Sequence, residues 1–289
     1  MSTGLKLLTL TSDLGLNDHY VASIKGSILK SDPEVQIIDL SHDIVPFDTS
    51  HGAFVLRSCY KNFPTGTVHV IAIDTEPIVN FGGSDGSFPC IMEIDKQYII
   101  SNDNGFFGTF LGERKPDNLW RIDDVLSNPK LFKFPSKSML VPAAIQILNG
   151  KKPEAFCSEQ IRFKRAFSSI SIVEKNLIIG NIVHLDSYGN AITNIDIELF
   201  ERVGDNHPFT IVFSRKEYYI DQISNTYNEV APGERLALFN ENGLLEIAIN
   251  RGANQGNGGA EKLLGFKKGD QVRIEFTPRG SKDTLEELF

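Results

Sequence analysis

Short β-rich runs alternate with segments of helical spacing through the first half of the chain, and acidic residues mark the ends of three runs. The run Leu5 to Thr11 leads to Asp13, after which Val21, Ile24, Ile28 and Leu29 recur at helical spacing behind the polar Asn17-Asp18 start. Val35 to Leu40, with Asp39 near its end, is followed by a loop containing Pro46. A helix from about Thr49 comes next, with Ala53, Leu56, Tyr60 and Phe63 on one face. The Val/Ile content of Thr67 to Ile73, ending at Asp74, suits a strand covered on both sides. Repeated βα units predict an α/β N-terminal domain with a mainly parallel sheet. Ligands bind outside the carboxyl ends of the strands in such sheets, so Asp13, Asp39 and Asp74 are the first candidates for a site.

After about Cys157 the texture changes. The apolar runs Leu177 to Val183, Phe209 to Phe213, Leu236 to Phe239, Leu244 to Ile249 and Gln271 to Phe276 are separated by Gly, Asn and Asp clusters, without strong helical periodicity. This predicts an all-β, barrel-like C-terminal domain. The expected organisation is an N-terminal domain over 1–156, a linker over 157–171 and a C-terminal domain over 172–289, in keeping with a length of 289 residues. The 29 basic and 37 acidic residues leave a net charge of −8, and no Lys/Arg cluster faces a run of phosphates, which argues against nucleic acid as the main ligand. No apolar stretch reaches membrane-spanning length and Met1 to Leu10 lacks a signal peptide's apolar core, so the expectation is a cytoplasmic protein with no membrane partner. Cys59, Cys90 and Cys157 lie in no Cys-x-x-Cys arrangement and read as buried free thiols.

Three stretches carry possible chemistry. Between Thr11 and Tyr20, Asp13 and Asp18 lie on a loop entering a helix, where carboxylates can chelate a metal, bridge a sugar diol or cap the helix. Capping accounts for Asp18 as well as a ligand does, whereas Asp13 is out of capping range. Ser41-His42-Asp43, with Asp48 nearby, matches no metal spacing and reads as turn and cap residues, so no metal is expected. Leu185 to Asn194 reads equally as a β-hairpin turning at Tyr188-Gly189-Asn190 and as an amino-acid clamp, with Asp186 taking an ammonium and Asn190 a carboxylate. The glycines from Gly82 to Gly86 lack a phosphate-loop lysine, and no serine-hydrolase elbow is present.

Five segments together resemble the S-adenosyl-L-methionine hydroxide adenosyltransferases, the SAM hydrolases related to the fluorinating and chlorinating enzymes. They are Thr11-Ser12-Asp13 through Lys25-Gly26, Ile38 to Asp48, Asp103-Asn104-Gly105, Asp186 to Asn194, and Asn240 to Gly252. The resemblance runs almost the full length, in the same order. It implies a homotrimer whose active sites lie between the N-terminal domain of one subunit and the C-terminal domain of the next. It also implies substitution at C5′ of S-adenosylmethionine, with the sulfonium compound as substrate and no cofactor. On this mapping Asp13 grips the ribose hydroxyls, with Asp18 and Tyr20 in the same loop. Phe47 takes an aromatic packing position, Asp186 and Asn190 hold the methionine part with Tyr188 in their turn, and Asn250 with the Arg251 backbone faces the adenine.

The chain also departs from the family pattern. The hydrolases carry an Asp-Pro-Gly-Val-Gly stretch with a following Arg, and a later Phe-His-Gly-Arg stretch; here these read Asp74 to Phe81 and Phe134-Pro135-Ser136-Lys137. Only the aspartate survives: the Arg position falls near Phe81 and the His position on Pro135. Asp74 and Ser136 are therefore the catalytic candidates, with Phe134 beside them on the substrate, and Glu76 or Lys137 as further contributors. A carboxylate there repels halide and orients water. The expected activity is hydrolysis of SAM to adenosine and L-methionine. The alternatives are a halide or other nucleophile on the same fold, and a catalytically weak SAM or adenosine binder. The 20 phenylalanines, against seven tyrosines and one tryptophan, point to a drier pocket at Phe47 and Phe81.

Overall fold

The computed structural model describes residues 5–78, 86–123, 129–165, 170–213, 218–252 and 258–277. Phe81, the glycine-rich stretch up to Asp85 and much of the Gly252 to Gly259 loop lie outside the described residues. The chain divides into two compact units, Met1–Ser168 and Ser169–Phe289.

In the first unit the strands are β1 (Leu7–Ser12), β2 (Gln36–Ser41), β3 (Val68–Ala72), β4 (Pro89–Ile94), β5 (Gln97–Asn102), β6 (Asn118–Arg121) and β7 (Ser158–Glu159). The helices are α1 (Tyr20–Ser31), α2 (Thr49–Cys59), α3 (Phe106–Leu111) and α4 (Val141–Leu148). The sheet order is β2-β1-β3-β5-β4-β6-β7, with β2, β1, β3 and β5 parallel and the remainder antiparallel. Every residue of β1 and β3 is buried, the polar Thr9, Thr11, Ser12 and His69 included, as suits strands covered on both faces. Leu8, Leu10, Val68 and Val70 pack with α1 and α4, while Ile71 and Ile73 join Leu56 of α2 and Phe106 and Phe107 of α3. Strand β2 is the sheet edge and is largely exposed, unlike the covered strand its apolar sequence resembles. Helix α3 is missing from the sequence reading because all six of its residues are buried, leaving no polar face to reveal a period. Ser158 and Glu159, inside the segment expected to link the domains, pair with β6 in this sheet.

The second unit contains β8 (Ile172–Glu174), β9 (Leu177–Leu185), β10 (Ala191–Asp196), β11 (Phe209–Phe213), β12 (Tyr219–Ile220), β13 (Arg235–Phe239), β14 (Leu244–Ile249) and β15 (Gln271–Phe276). They form one antiparallel sheet in the order β12-β11-β15-β9-β10-β14-β13, with β8 also on β9. A bridge between Ile223, just past β12, and Ala237 of β13 draws the two ends toward a barrel. Two short helices, α5 (Ile197–Gly204) and α6 (Gly259–Leu264), accompany this sheet. Asp196 caps α5 by accepting from the Leu199 N–H, a start signal too local to show as periodicity. Phenylalanine builds both cores: Phe106 stacks on Phe110, and Phe200 meets Phe209, Phe239 and Phe276 with ring centroids 5.0–5.5 Å apart. Cys90 is fully buried, whereas Cys59 and Cys157 are half-buried, and none of the three is in a disulfide.

One buried polar pair sits across β1 and β3. Thr9 Oγ1 lies 2.7 Å from His69 Nδ1, and Gln97 Oε1 lies 2.6 Å from His69 Nε2. Burial disfavours the imidazolium and lowers the His69 pKa from 6.5 to about 4, against a smaller opposing effect of the Gln97 bond. The unfolded chain therefore binds a proton that the folded chain rejects. We predict that stability falls as the pH drops from about 6.5 to 4, by roughly 3 kcal/mol from this group. Denaturant unfolding across that range checks it, with His69→Gln expected to flatten the dependence.

Candidate active site

Strand β1 lies between β2 and β3: the chain leaves it through α1 to one side and returns through α2 to the other. Such a reversal opens a crevice at the carboxyl ends of the strands. Ser12 is opposite Ala72 in the β1–β3 register, so Asp13, the next residue, and Asp74, two residues past β3, emerge side by side. Asp74 adopts φ +45°, a left-handed conformation that costs a non-glycine residue energy. The amide of Asn104 holds it there by donating to the carbonyls of Ile73 and Asp74 at 3.0 and 2.9 Å, and Asn102 Nδ2 reaches the Glu76 carbonyl at 3.1 Å. Desolvation, followed by the charges of Asp13 and Glu76, raises the Asp74 pKa above the ordinary carboxylate value, with Lys164 opposing.

The other first-unit candidates gather around these two carboxylates. Phe47, at φ +64° and 73% exposed, donates its backbone N–H to Asp13 Oδ2 at 2.9 Å. Ser136 is buried with its Oγ 3.0 Å from Thr75 Oγ1, which ties it to the Asp74 segment. It opens a π-helical turn, Ser136–Leu140, in which the Val141 N–H reaches back to the Ser136 carbonyl. Pro142, lacking an N–H, follows that wider turn at the start of α4. Tyr20 meets the half-buried Phe134 edge-on, with centroids 5.7 Å apart. Asp18 is exposed and does not cap α1, whose N-terminus carries no side-chain cap. Lys137 Nζ donates to Ser23 Oγ at 2.9 Å, and Asp48 caps α2 through the His51 N–H. Among the described residues no group of three or more His, Cys, Asp or Glu side chains is placed to hold a metal ion.

The second unit assembles its candidates at one end of its sheet. Asp186 Oδ1 accepts from the N–H groups of Tyr188 and Asn190 at 2.9 and 2.8 Å, and its Oδ2 accepts from the Asn190 amide at 3.1 Å. The segment is thus the turn of the β9–β10 hairpin, with Tyr188 left 69% exposed. Glycine is required at this turn. A Cβ on Gly189, at φ +76°, would sit 2.1 Å from the Gly258 carbonyl oxygen, and one on Gly259 would meet the Tyr188 carbonyl at the same distance. Gly252 is drawn into the same place by the Gly259 N–H, which bonds its carbonyl at 3.3 Å. Arg251 beside it is exposed at φ +53°, while Asn250 is buried and donates to the Val230 carbonyl at 2.8 Å.

Sequence reasoning missed several partners. Glu246 is buried in β14 and accepts from the Tyr227 hydroxyl at 2.6 Å; burial raises its pKa, with the nearby Asp186 charge adding to the effect. Its signal is a lone acid in the otherwise apolar run Leu244–Ile249. Asn104 appears only as part of a motif, and its hold on Asp74 spans 30 residues. Lys164 lies in the expected linker, yet its backbone N–H donates to Asp103 Oδ1 at 2.9 Å, at the end of β5.

Residues 8–157 match the SAM hydroxide adenosyltransferase N-terminal domain and residues 180–273 the C-terminal domain of the same family. The chain belongs to the SAM hydroxide adenosyltransferase family. It is 34% identical over 197 residues to the (R)-S-adenosyl-L-methionine hydrolase of Methanocaldococcus jannaschii, covering 66% of this chain and 67% of that one. The corresponding hydrolase of Thermus thermophilus is 26% identical over 272 residues, 91% of this chain and 97% of its own. A fluorinase of Nocardia brasiliensis is 25% identical over 225 residues, 68% of this chain and 74% of its own. The crystal structure of an uncharacterized conserved protein from Thermotoga maritima superposes with a TM-score of 0.79 at 26% identity, covering 93% of this chain and 99% of that one.

A carboxyl whose pKa is raised by folding destabilises the fold once ionised. The left-handed φ at Asp74 also suits Asn. Asp74→Asn is therefore expected to raise the melting temperature at pH 7, the difference shrinking near pH 3, where the native group is protonated. Thermal unfolding at the two pH values checks this.

Proposed function

We propose that this protein hydrolyses S-adenosyl-L-methionine to adenosine and L-methionine by attack of water at C5′. The oxygen of water bonds to C5′ as the C5′–S bond breaks, its electron pair passing to sulfur, and the water proton leaves to a base. Methionine departs as a neutral thioether and needs no protonation, so alignment and desolvation of the nucleophile supply much of the rate. The observation that carries the reading is the placement of Asp74. Its carboxylate stands beside Asp13 in a conformation costly to maintain, with a pKa that burial and the Asp13 charge raise above the ordinary carboxylate value.

Asp13 takes the ribose hydroxyls in this account, and Ser136 with Asp74 orients the water. Asp18, Tyr20, Phe47 and Phe134 surround the nucleoside; Asp186, Tyr188 and Asn190 hold the methionine part, and Asn250 and Arg251 the adenine. The acidic groups suit a cationic sulfonium, and an anionic Asp74 favours water over halide. Leu16, Val45, Phe47 and Ile78 leave apolar surface exposed around the carboxyl ends of β1 and β3, as a site closed by ligand or by another copy of the chain would.

Incubation with SAM is expected to yield adenosine and methionine in equal amounts, followed by chromatography, and no 5′-halogenated nucleoside with chloride or fluoride present. The ionised form of Asp74 is the active one, so kcat/KM falls as the pH drops through a pKa above 3.8. Asp74→Asn is expected to abolish that limb and slow turnover by about 100-fold or more. Tight SAM binding without turnover would instead identify a binding protein. The reading includes a homotrimer, expected to show three times the mass of one chain by light scattering, with a monomer contradicting it.

A further inference from the structure

His42 is positioned too deeply for a turn residue. It is only 6% exposed, and its Nδ1 lies 2.6 Å from Ser12 Oγ, the side chain immediately before Asp13. Its Nε2 lies 3.1 Å from Asp39 Oδ1, a contact distance short of good hydrogen-bond alignment. Asp39 Oδ2 in turn accepts from Lys25 Nζ at 2.5 Å. Burial opposes charge on Asp39, but its bonds to Lys25 and His42 outweigh this and hold its pKa below the ordinary carboxylate value. An ionised Asp39 can only accept, so a ring carrying one proton holds it on Nε2 and accepts the Ser12 hydroxyl proton at Nδ1. The Ser12 oxygen stays open to the Leu14 N–H, which approaches it at 3.4 Å.

The backbone of the same segment is stitched to the Asp13 loop. The Gly15 N–H donates to the His42 carbonyl at 2.9 Å, the Ile44 N–H to the Ser12 carbonyl at 3.4 Å, and the Phe47 N–H to Asp13 Oδ2 at 2.9 Å. The chain Lys25–Asp39–His42–Ser12 thus joins α1, the edge strand β2 and the end of β1 at the residue before the carboxylate. We propose that His42, set between Asp39 and Ser12, is a positioning residue that sets the Asp13 carboxylate and the Phe47 backbone for the nucleoside end of the substrate. This deepens the hydrolase reading and rests on it for the identity of the ligand. A misplaced Asp13 weakens nucleoside binding while leaving the attacking water with Asp74, so KM should move more than kcat.

The unaltered protein and two variants test this. His42→Asn keeps an acceptor near the Nδ1 position, and His42→Ala removes it. His42→Ala is expected to raise KM for SAM and the calorimetric Kd for adenosine by tenfold or more, with kcat per active site changed less than threefold. His42→Asn is expected to recover most of the affinity. Nitrogen NMR of the unaltered protein should report a proton on Nε2, a readout independent of how the variants fold. The proposal is overturned by a ring protonated on Nδ1 alone, by adenosine affinity within twofold in His42→Ala, or by an Asn variant no better than Ala. A protein that binds no adenosine overturns it too. A protein that binds adenosine but does not turn over SAM contradicts the hydrolase reading alone, because affinity and tautomer are read without turnover.

Discussion

Parallel pairing of β1 with β3 is the constraint on which the first unit depends. Both strands are wholly buried, and sliding one by a single residue would turn Leu8, Leu10, Val68 and Val70 away from the layer they share with α1 and α4. The register that buries them sets Ser12 opposite Ala72, and so delivers Asp13 and Asp74 together at the point where strand order reverses. Hydrophobic burial thus does the aiming, and the polar chemistry sits at its end.

Two carboxylates brought together in this way repel, and the surrounding structure offsets the repulsion rather than relieving it. Asn104 clamps the backbone of Asp74, the Phe47 N–H satisfies one oxygen of Asp13, and Lys164 supplies partial compensation. Left-handed conformations at Phe47, Asp74 and Arg251, all non-glycine, add to the energy held at the candidate residues. Concentrated like charge and backbone strain are the pattern of a site kept for function at some expense of stability. A cationic substrate relieves the charge when it binds, which an anion would not.

Much of this was legible in the sequence. The strand runs are apolar, their ends are acidic, and the two periodicities change where the units change. Interactions between distant residues were not legible. His42 lies in a polar stretch that reads as a turn, and only the folded sheet brings it to Ser12, thirty residues earlier. Glu246 stood in view within β14, but its role depends on Tyr227 reaching it from another segment. Helix α3 hid because complete burial erases amphipathic contrast. The phenylalanine excess was read toward the pocket, whereas the rings of Phe106, Phe107, Phe200, Phe209 and Phe276 show it filling the cores.

The account centres on water as the nucleophile at C5′. Turnover of SAM in water enriched in oxygen-18, followed by mass spectrometry of the products, tests that claim directly. The predicted result is one heavy oxygen at the 5′-hydroxyl of adenosine and none in methionine. Adenosine formed without the label, or a 5′-substituted nucleoside in its place, would contradict it.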